Sequence, residues 1–209
     1  MKVYLDGIYS KACSESPAAL RQLLAEKCQS GKAGGTVDIY KSVPVSAGSD
    51  GSLRMTLSTS DLDRDGERID QSGWLLENYR KNPVILWAHD WARPAIGYMK
   101  ELEAGEALTG ELVFNDREYD SFGWGIGERL KNGSLRCGSV GFRVIEAEVV
   151  NHTLHPEEKA DVIFRKQELL EFSICNIPAN PNAMLNEECG IRNSGKSLWE
   201  RLLRQKGAI

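Results

Sequence analysis

The chain has 209 residues, 41% of them hydrophobic and 27% charged, which is enough for one good-sized domain and too apolar for wholesale disorder. Its 26 Lys and Arg against 30 Asp and Glu give a net charge of -4, which argues against a protein that grips nucleic acid through its whole surface, because phosphate neutralisation supplies most of that affinity. No apolar run approaches the roughly 20 residues that cross a bilayer, and five scattered cysteines (Cys13, Cys28, Cys137, Cys175, Cys189) without a C-x-x-C pair read as reduced cytoplasmic thiols, not a disulfide framework or zinc knuckle.

In chain order, Leu20, Leu23 and Leu24 recur at helical spacing behind Ser16-Pro17 and predict a short, peripheral helix over 16–28. Gly/Ser-rich stretches at 29–35 and 46–52 read as loops. From residue 36 the pattern turns to β: Val37, Ile39, Val43 and Val45 predict a short strand pair, and Leu53, Met55 and Leu57 alternate with polar neighbours. The continuous run Pro83-Val84-Ile85-Leu86-Trp87-Ala88-His89 predicts a strand buried on both faces.

Strands near 94–102 and 106–114, joined at Glu103-Ala104-Gly105, predict a hairpin, and two more strands cover 138–147 and about 161–177. Helices are predicted over 73–81, and from a capping box at Asn115–Glu118 with Tyr119, Phe122, Ile126 and Leu130 on one face. Gly123, Gly125 and Gly127 weaken that second helix by about 1 kcal/mol each against Ala, so packing must compensate or another backbone must come close. A last helix is predicted behind Ser197-x-x-Glu200. The sum is a mainly β fold with surrounding helices, an antiparallel sheet closed into a barrel. It divides into an N-terminal extension (1–35), a barrel domain (36–185) and a C-terminal tail (186–209).

Four groups of residues suggest chemistry. Asp61-x-Asp63-x-Asp65-Gly66 opens like a calcium loop, but Arg68 and Ser72 stand at its eighth and twelfth positions and a strand precedes it, so it reads as a polar turn. His152 and His155, spaced H-x-x-H with no cysteine nearby, read as exposed loop histidines. No metal or cofactor is called for.

The third group is the strongest. His89 ends the most apolar strand, where an imidazole is held rigidly yet meets solvent, and Ser139 lies among small neighbours in Cys137-Gly138-Ser139-Val140-Gly141-Phe142. That segment is not the nucleophile elbow of α/β-hydrolases, because Cys137 stands where the first glycine belongs. The fourth feature is Glu171, a carboxylate inside an apolar strand, which must be paired or hydrogen-bonded. Orienting an imidazole and forming a structural salt bridge satisfy it equally.

Taken together, Ser60-Asp61-x-Asp63-x-Asp65-Gly66-Glu67, Pro83–Asp90, Pro94-Ala95-Ile96-Gly97, Gly138-Ser139-Val140-Gly141-Phe142 and Leu169–Ala183 resemble the prohead (head maturation) serine proteases of tailed bacteriophages, over about residues 53–185. The resemblance implies a barrel related to the herpesvirus capsid proteases and a triad of Ser139, His89 and Glu171, which lie 50 and 32 residues apart in chain order His89, Ser139, Glu171. It also implies an endopeptidase without cofactor, acting on the phage major capsid protein, scaffold protein and itself inside the assembling prohead of the host cytoplasm. A homodimer follows by analogy, with neither nucleic acid nor membrane as partner. Backbone N–H groups of Val140 and Gly141 are the candidate oxyanion donors. The competing expectation is a non-catalytic virion or scaffold component that keeps the barrel.

Overall fold

A long hairpin is the spine of the protein. In the computed structural model, which describes residues 2–5, 8–10, 13, 16–29, 37–44, 52–63 and 65–176, strand β10 (Cys137–Val149) pairs antiparallel with β11 (Val162–Cys175) from Cys137↔Cys175 to Val149↔Val162. Bulges interrupt this ladder after Gly141 and around Glu146. The sequence favours such strands because Phe142, Phe164 and Phe172 are large, stiff and fully buried along them. Phe142 meets Trp74 and Phe164 edge to face, at centroid distances of 5.7 and 5.3 Å.

Other strands assemble on both sides of the hairpin. On the β10 side come β3 (Val37–Pro44), then β1 (Lys2–Leu5) and β2 (Ile8–Tyr9). On the β11 side come β7 (Val84–Trp87), β8 (Gly97–Ala104), β9 (Leu108–Phe114) and β4 (Leu53–Ser58). The short strands β5 (Glu67–Ile69) and β6 (Trp74–Leu75) also pair with β11, and they do so in parallel, as β7 does. The β8–β9 hairpin turns at Gly105, where the sequence predicts it.

The sheet is curled but open, which corrects the closed barrel. Its hydrogen-bonded path ends at β2 and β4, and among the described residues no ladder joins β4 to β3 or β10. Side chains fill that gap: a Cβ placed on Gly138 in β10 would lie 2.5 Å from the Met55 methyl of β4 and 2.1 Å from the Phe172 ring. Apolar packing therefore replaces the hydrogen bonds that closure would need.

Among the described residues the sheet is accompanied by the α-helices α1 (Pro17–Gln29), α2 (Glu77–Lys81) and α3 (Ser121–Lys131). The first is not peripheral, for Leu20 and Leu24 are fully buried in one core with Val37, Ile39 and Phe142. Residues 37–44 form one strand, not a pair. The helix expected over 73–81 shrinks to α2, because Asp70 caps a single 3-10 turn through the Ser72 N–H and the chain then pairs with β11 at Trp74 and Leu75. The helix expected behind Ser197 and the tail from residue 186 lie outside the described residues.

Helix α3 starts later than the capping box implies. Asp120 is its cap, accepting from the Gly123 N–H at 2.9 Å, while Asn115 is taken up holding the Ala95 carbonyl and Asp120 itself. Tyr119 consequently falls before the helix and stands exposed. The glycines of α3 divide by what surrounds them. A Cβ on Gly123 would meet the Ile96 carbonyl oxygen at 2.7 Å, whereas one on Gly125 meets only the Arg129 guanidinium end at 3.1 Å. Gly→Ala in a helix is worth about 1 kcal/mol of propensity, so Gly125→Ala should raise the thermal midpoint. Gly123→Ala should lower it, since backbone cannot yield as a flexible side chain does. Calorimetry of the two variants checks the opposite signs.

Candidate active site

Strand β7 stops at Trp87, and the chain turns sharply through Ala88 and His89. Both have left-handed backbone, φ 53° and 59°, a conformation that costs an L-residue about 1–2 kcal/mol. Two hydrogen bonds from β11 hold the turn: the Ala88 N–H donates to the Ile174 carbonyl at 2.9 Å, and the His89 N–H donates to Ser173 Oγ at 3.0 Å. His89 is thus not the last strand residue but the apex of a strained turn, and strain of this kind collects at functional sites.

The turn aims the imidazole at Glu171. His89 Nδ1 lies 2.5 Å from Glu171 Oε1, and Glu171 Oε2 accepts from Ser173 Oγ at 2.6 Å. The carboxylate is 2% exposed and the imidazole 13%, so the pair is shielded from solvent on most sides. Of the two ways to satisfy Glu171, the structure shows the imidazole contact. Its neighbourhood extends to Tyr79 of α2, whose hydroxyl donates to the Val84 carbonyl at 2.9 Å. Burial, and then the charge on Glu171, push the Tyr79 phenol far above its ordinary range, so it stays a proton donor.

Ser139 enters from β10. Antiparallel register sets it opposite Ser173, and sets Gly141 opposite Glu171. Side chains on one strand alternate faces, while directly opposed residues share one. Ser139, Ser173 and Glu171 therefore lie on a common face of the hairpin, and the His89 amide meets that face through Ser173. Ser139 is 1% exposed, and its Oγ is a buried hydroxyl with no hydrogen-bond partner. The structure thus joins His89 to Glu171 directly and brings Ser139 to the same face two residue pairs away, without a hydrogen bond between Ser139 and the imidazole. Val140 and Gly141 sit mid-sheet, in register with both β3 and β11. Their amides would have to leave those ladders to serve an oxyanion.

Residues 62–196 match the family model described as caudovirus prohead serine protease. The chain belongs to that family. It is also 32% identical over 155 residues to the prohead protease of Escherichia phage T5, covering 71% of this chain and 68% of the relative. No solved structure matches it. This member of the prohead proteases is accordingly a serine peptidase and a hydrolase.

Ser173 is a residue of the candidate site to which the sequence assigned no role. It ties the His89 backbone to the Glu171 carboxylate, and its signals were its parity with Glu171 in an apolar strand and its place in the Leu169–Ala183 motif. An aromatic wall flanks the histidine turn: Trp87 stacks edge to face on Phe122 of α3 at 5.7 Å, and the Arg93 guanidinium lies 5.0 Å from the Phe122 centroid.

The other candidate groups have structural partners. Asp63 Oδ1 accepts from the amides of Asp65 and Glu67 at 3.0 and 2.8 Å, closing a turn at Gly66 (φ 75°). His152 bridges the Glu158 carbonyl and Asp161 on an exposed loop, and His155 faces Glu157. Among the described residues no three His, Cys, Asp or Glu side chains gather to hold a metal ion, and no helix is long and apolar enough to cross a membrane.

Proposed function

We propose that Ser139, His89 and Glu171 are the catalytic triad of a capsid-maturation endopeptidase, whose substrates are the major capsid protein, its scaffold and the protease chain itself, within the assembling prohead. The observation that carries this reading is the contact of His89 Nδ1 with Glu171 Oε1, two residue pairs along the ladder, on the same face, from the buried, unpartnered hydroxyl of Ser139. The fold relation to the herpesvirus capsid proteases belongs to the same reading.

The mechanism is acyl transfer. With Nδ1–H held by Glu171, the imidazole presents Nε2 as the base. Ser139 Oγ attacks the scissile carbonyl as Nε2 takes its proton, and the imidazolium then protonates the leaving amine. Water, deprotonated by the same nitrogen, releases the acyl group and restores the hydroxyl. Glu171 stabilises the imidazolium without itself becoming protonated. The hydrogen bond from Ser139 to Nε2 forms as substrate seats, since such bonds are often long or absent before substrate arrives.

Ser173 acts as a positioning residue, through the His89 amide and Glu171 Oε2. Ser173→Ala should lower kcat by about 10- to 100-fold with KM little changed, and Ser173→Thr, which keeps the hydroxyl, should recover part of the loss. A loss confined to KM would remove Ser173 from the orientation of His89.

The reading as a whole is tested by co-expressing the chain with the major capsid and scaffold proteins of its own phage. Shortened products with defined new N-termini are expected. Intact capsid and scaffold masses in the presence of folded, assembled protease would overturn the substrate assignment.

A further inference from the structure

Two residue pairs beyond Ser139–Ser173, on the same face, the hairpin carries a second matched pair that the mechanism does not use. Cys137 and Cys175 stand directly opposite each other, and both are thiols. Opposed residues in an antiparallel ladder have Cα atoms about 4.5 or 5.5 Å apart, depending on the pair type, and disulfides span Cα separations of about 4.4–6.8 Å. Either pair type falls inside that window. Parity also puts the thiols on the face of Ser139, Ser173 and Glu171, because 137, 139 and 141 alternate together, as do 171, 173 and 175, and the first bulge comes only after Gly141. Access differs between the two: Cys137 is partly exposed, whereas Cys175 is 9% exposed.

We propose that Cys137 and Cys175 form a reversible disulfide modification site, and that closing it silences Ser139. The oxidant is of the hydroperoxide class. The Cys137 thiolate attacks the peroxide O–O bond, giving a sulfenic acid and one water. The Cys175 thiolate then displaces hydroxide from that sulfur, which leaves as the second water once protonated. Two thiols and one hydrogen peroxide become one disulfide and two waters, and a dithiol reductant reverses the change. Burial raises the Cys137 thiol above its ordinary range, so closure is slow at neutral pH and quickens as pH rises toward and past that range.

Silencing follows from the geometry. Opposed Cβ atoms lie about 4.5–5.5 Å apart in a ladder and about 3.8 Å apart across a disulfide. Closure draws the strands together by roughly 1 Å two residues from Ser139 on the same face, and a misplacement of that size passed to the nucleophile costs on the order of 100-fold in rate. This second half rests on Ser139 being the nucleophile.

The test treats the full chain with hydrogen peroxide at mildly alkaline pH and alkylates the remaining thiols. A non-reducing digest is then mapped by mass, with fluorophosphonate labelling of the same samples. A Cys137–Cys175 linked peptide is expected, with labelling reduced at least tenfold, restored by dithiothreitol and retained under peroxide in Cys137→Ser. Absence of the linked peptide overturns the site. Equal loss of labelling in wild type and Cys137→Ser overturns the silencing. If the reduced protein takes no label at all, the nucleophile assignment fails instead, and the linked peptide still decides the disulfide.

Discussion

Ser139→Ala is expected to abolish peptide cleavage, by a factor on the order of 10⁴ to 10⁶, while leaving the protein folded. The size follows from the removal of the proposed nucleophile; what survives is substrate binding and whatever oxyanion stabilisation the site supplies. Folding should be spared because Ser139 Oγ is buried without a hydrogen-bond partner, so its removal strands no other polar group. Losing an unsatisfied buried hydroxyl is neutral or slightly favourable to stability. The variant should therefore melt at or above the wild-type midpoint, and product analysis beside a melting curve checks both halves. A low-melting Ser139→Ala would mean that the hydroxyl has a structural partner.

Glu171→Gln is the second large effect, expected to cost about 10³- to 10⁴-fold in kcat. The amide keeps the volume of the carboxylate and can still accept from Ser173 through its oxygen. It cannot offset the imidazolium, and if its NH₂ turns toward His89 it selects the wrong tautomer. Unlike the serine variant, this one should also lose stability. The left-handed turn at Ala88 and His89 is held partly by the imidazole–carboxylate contact, and its strain of about 1–2 kcal/mol per residue is less well opposed without it. A pH–rate profile separates this from simple unfolding: the surviving activity should shift in its pH dependence, which mere loss of folded protein would not produce.

Part of the candidate site was legible in the sequence because parity along a strand is arithmetic, whereas register appears only in the folded ladder. Glu171 in an apolar strand had to be satisfied, and the imidazole that satisfies it lies one strand away, on the turn after β7. The hairpin strands followed from runs of buried aromatics and β-branched residues, and the glycines of α3 foretold close approach, which occurs at Gly123. Family membership, too, was visible in the ordered motifs.

What was not legible depended on contacts distant in the chain. Nothing local in Val84–His89 says that the strand ends two residues early, since the turn is held by Ile174 and Ser173 of β11. The open sheet was hidden for the same reason: closure or its absence is decided where Met55 packs over Gly138. The first helix looked peripheral because its amphipathic pattern is weak, yet Leu20 and Leu24 complete the core. Ser173 lay within the Leu169–Ala183 motif, but its role depends on the His89 amide, 84 residues away in the chain.

The central claim is that His89 activates Ser139. The most direct measurement is labelling of the folded protein with a serine-directed fluorophosphonate, followed by mass mapping of the modified residue in wild type and in His89→Ala. A single adduct on Ser139 is expected in the wild type, with a loss on the order of 10³-fold or more in labelling rate in the variant. An adduct elsewhere, or equal labelling of the two proteins, would contradict the claim.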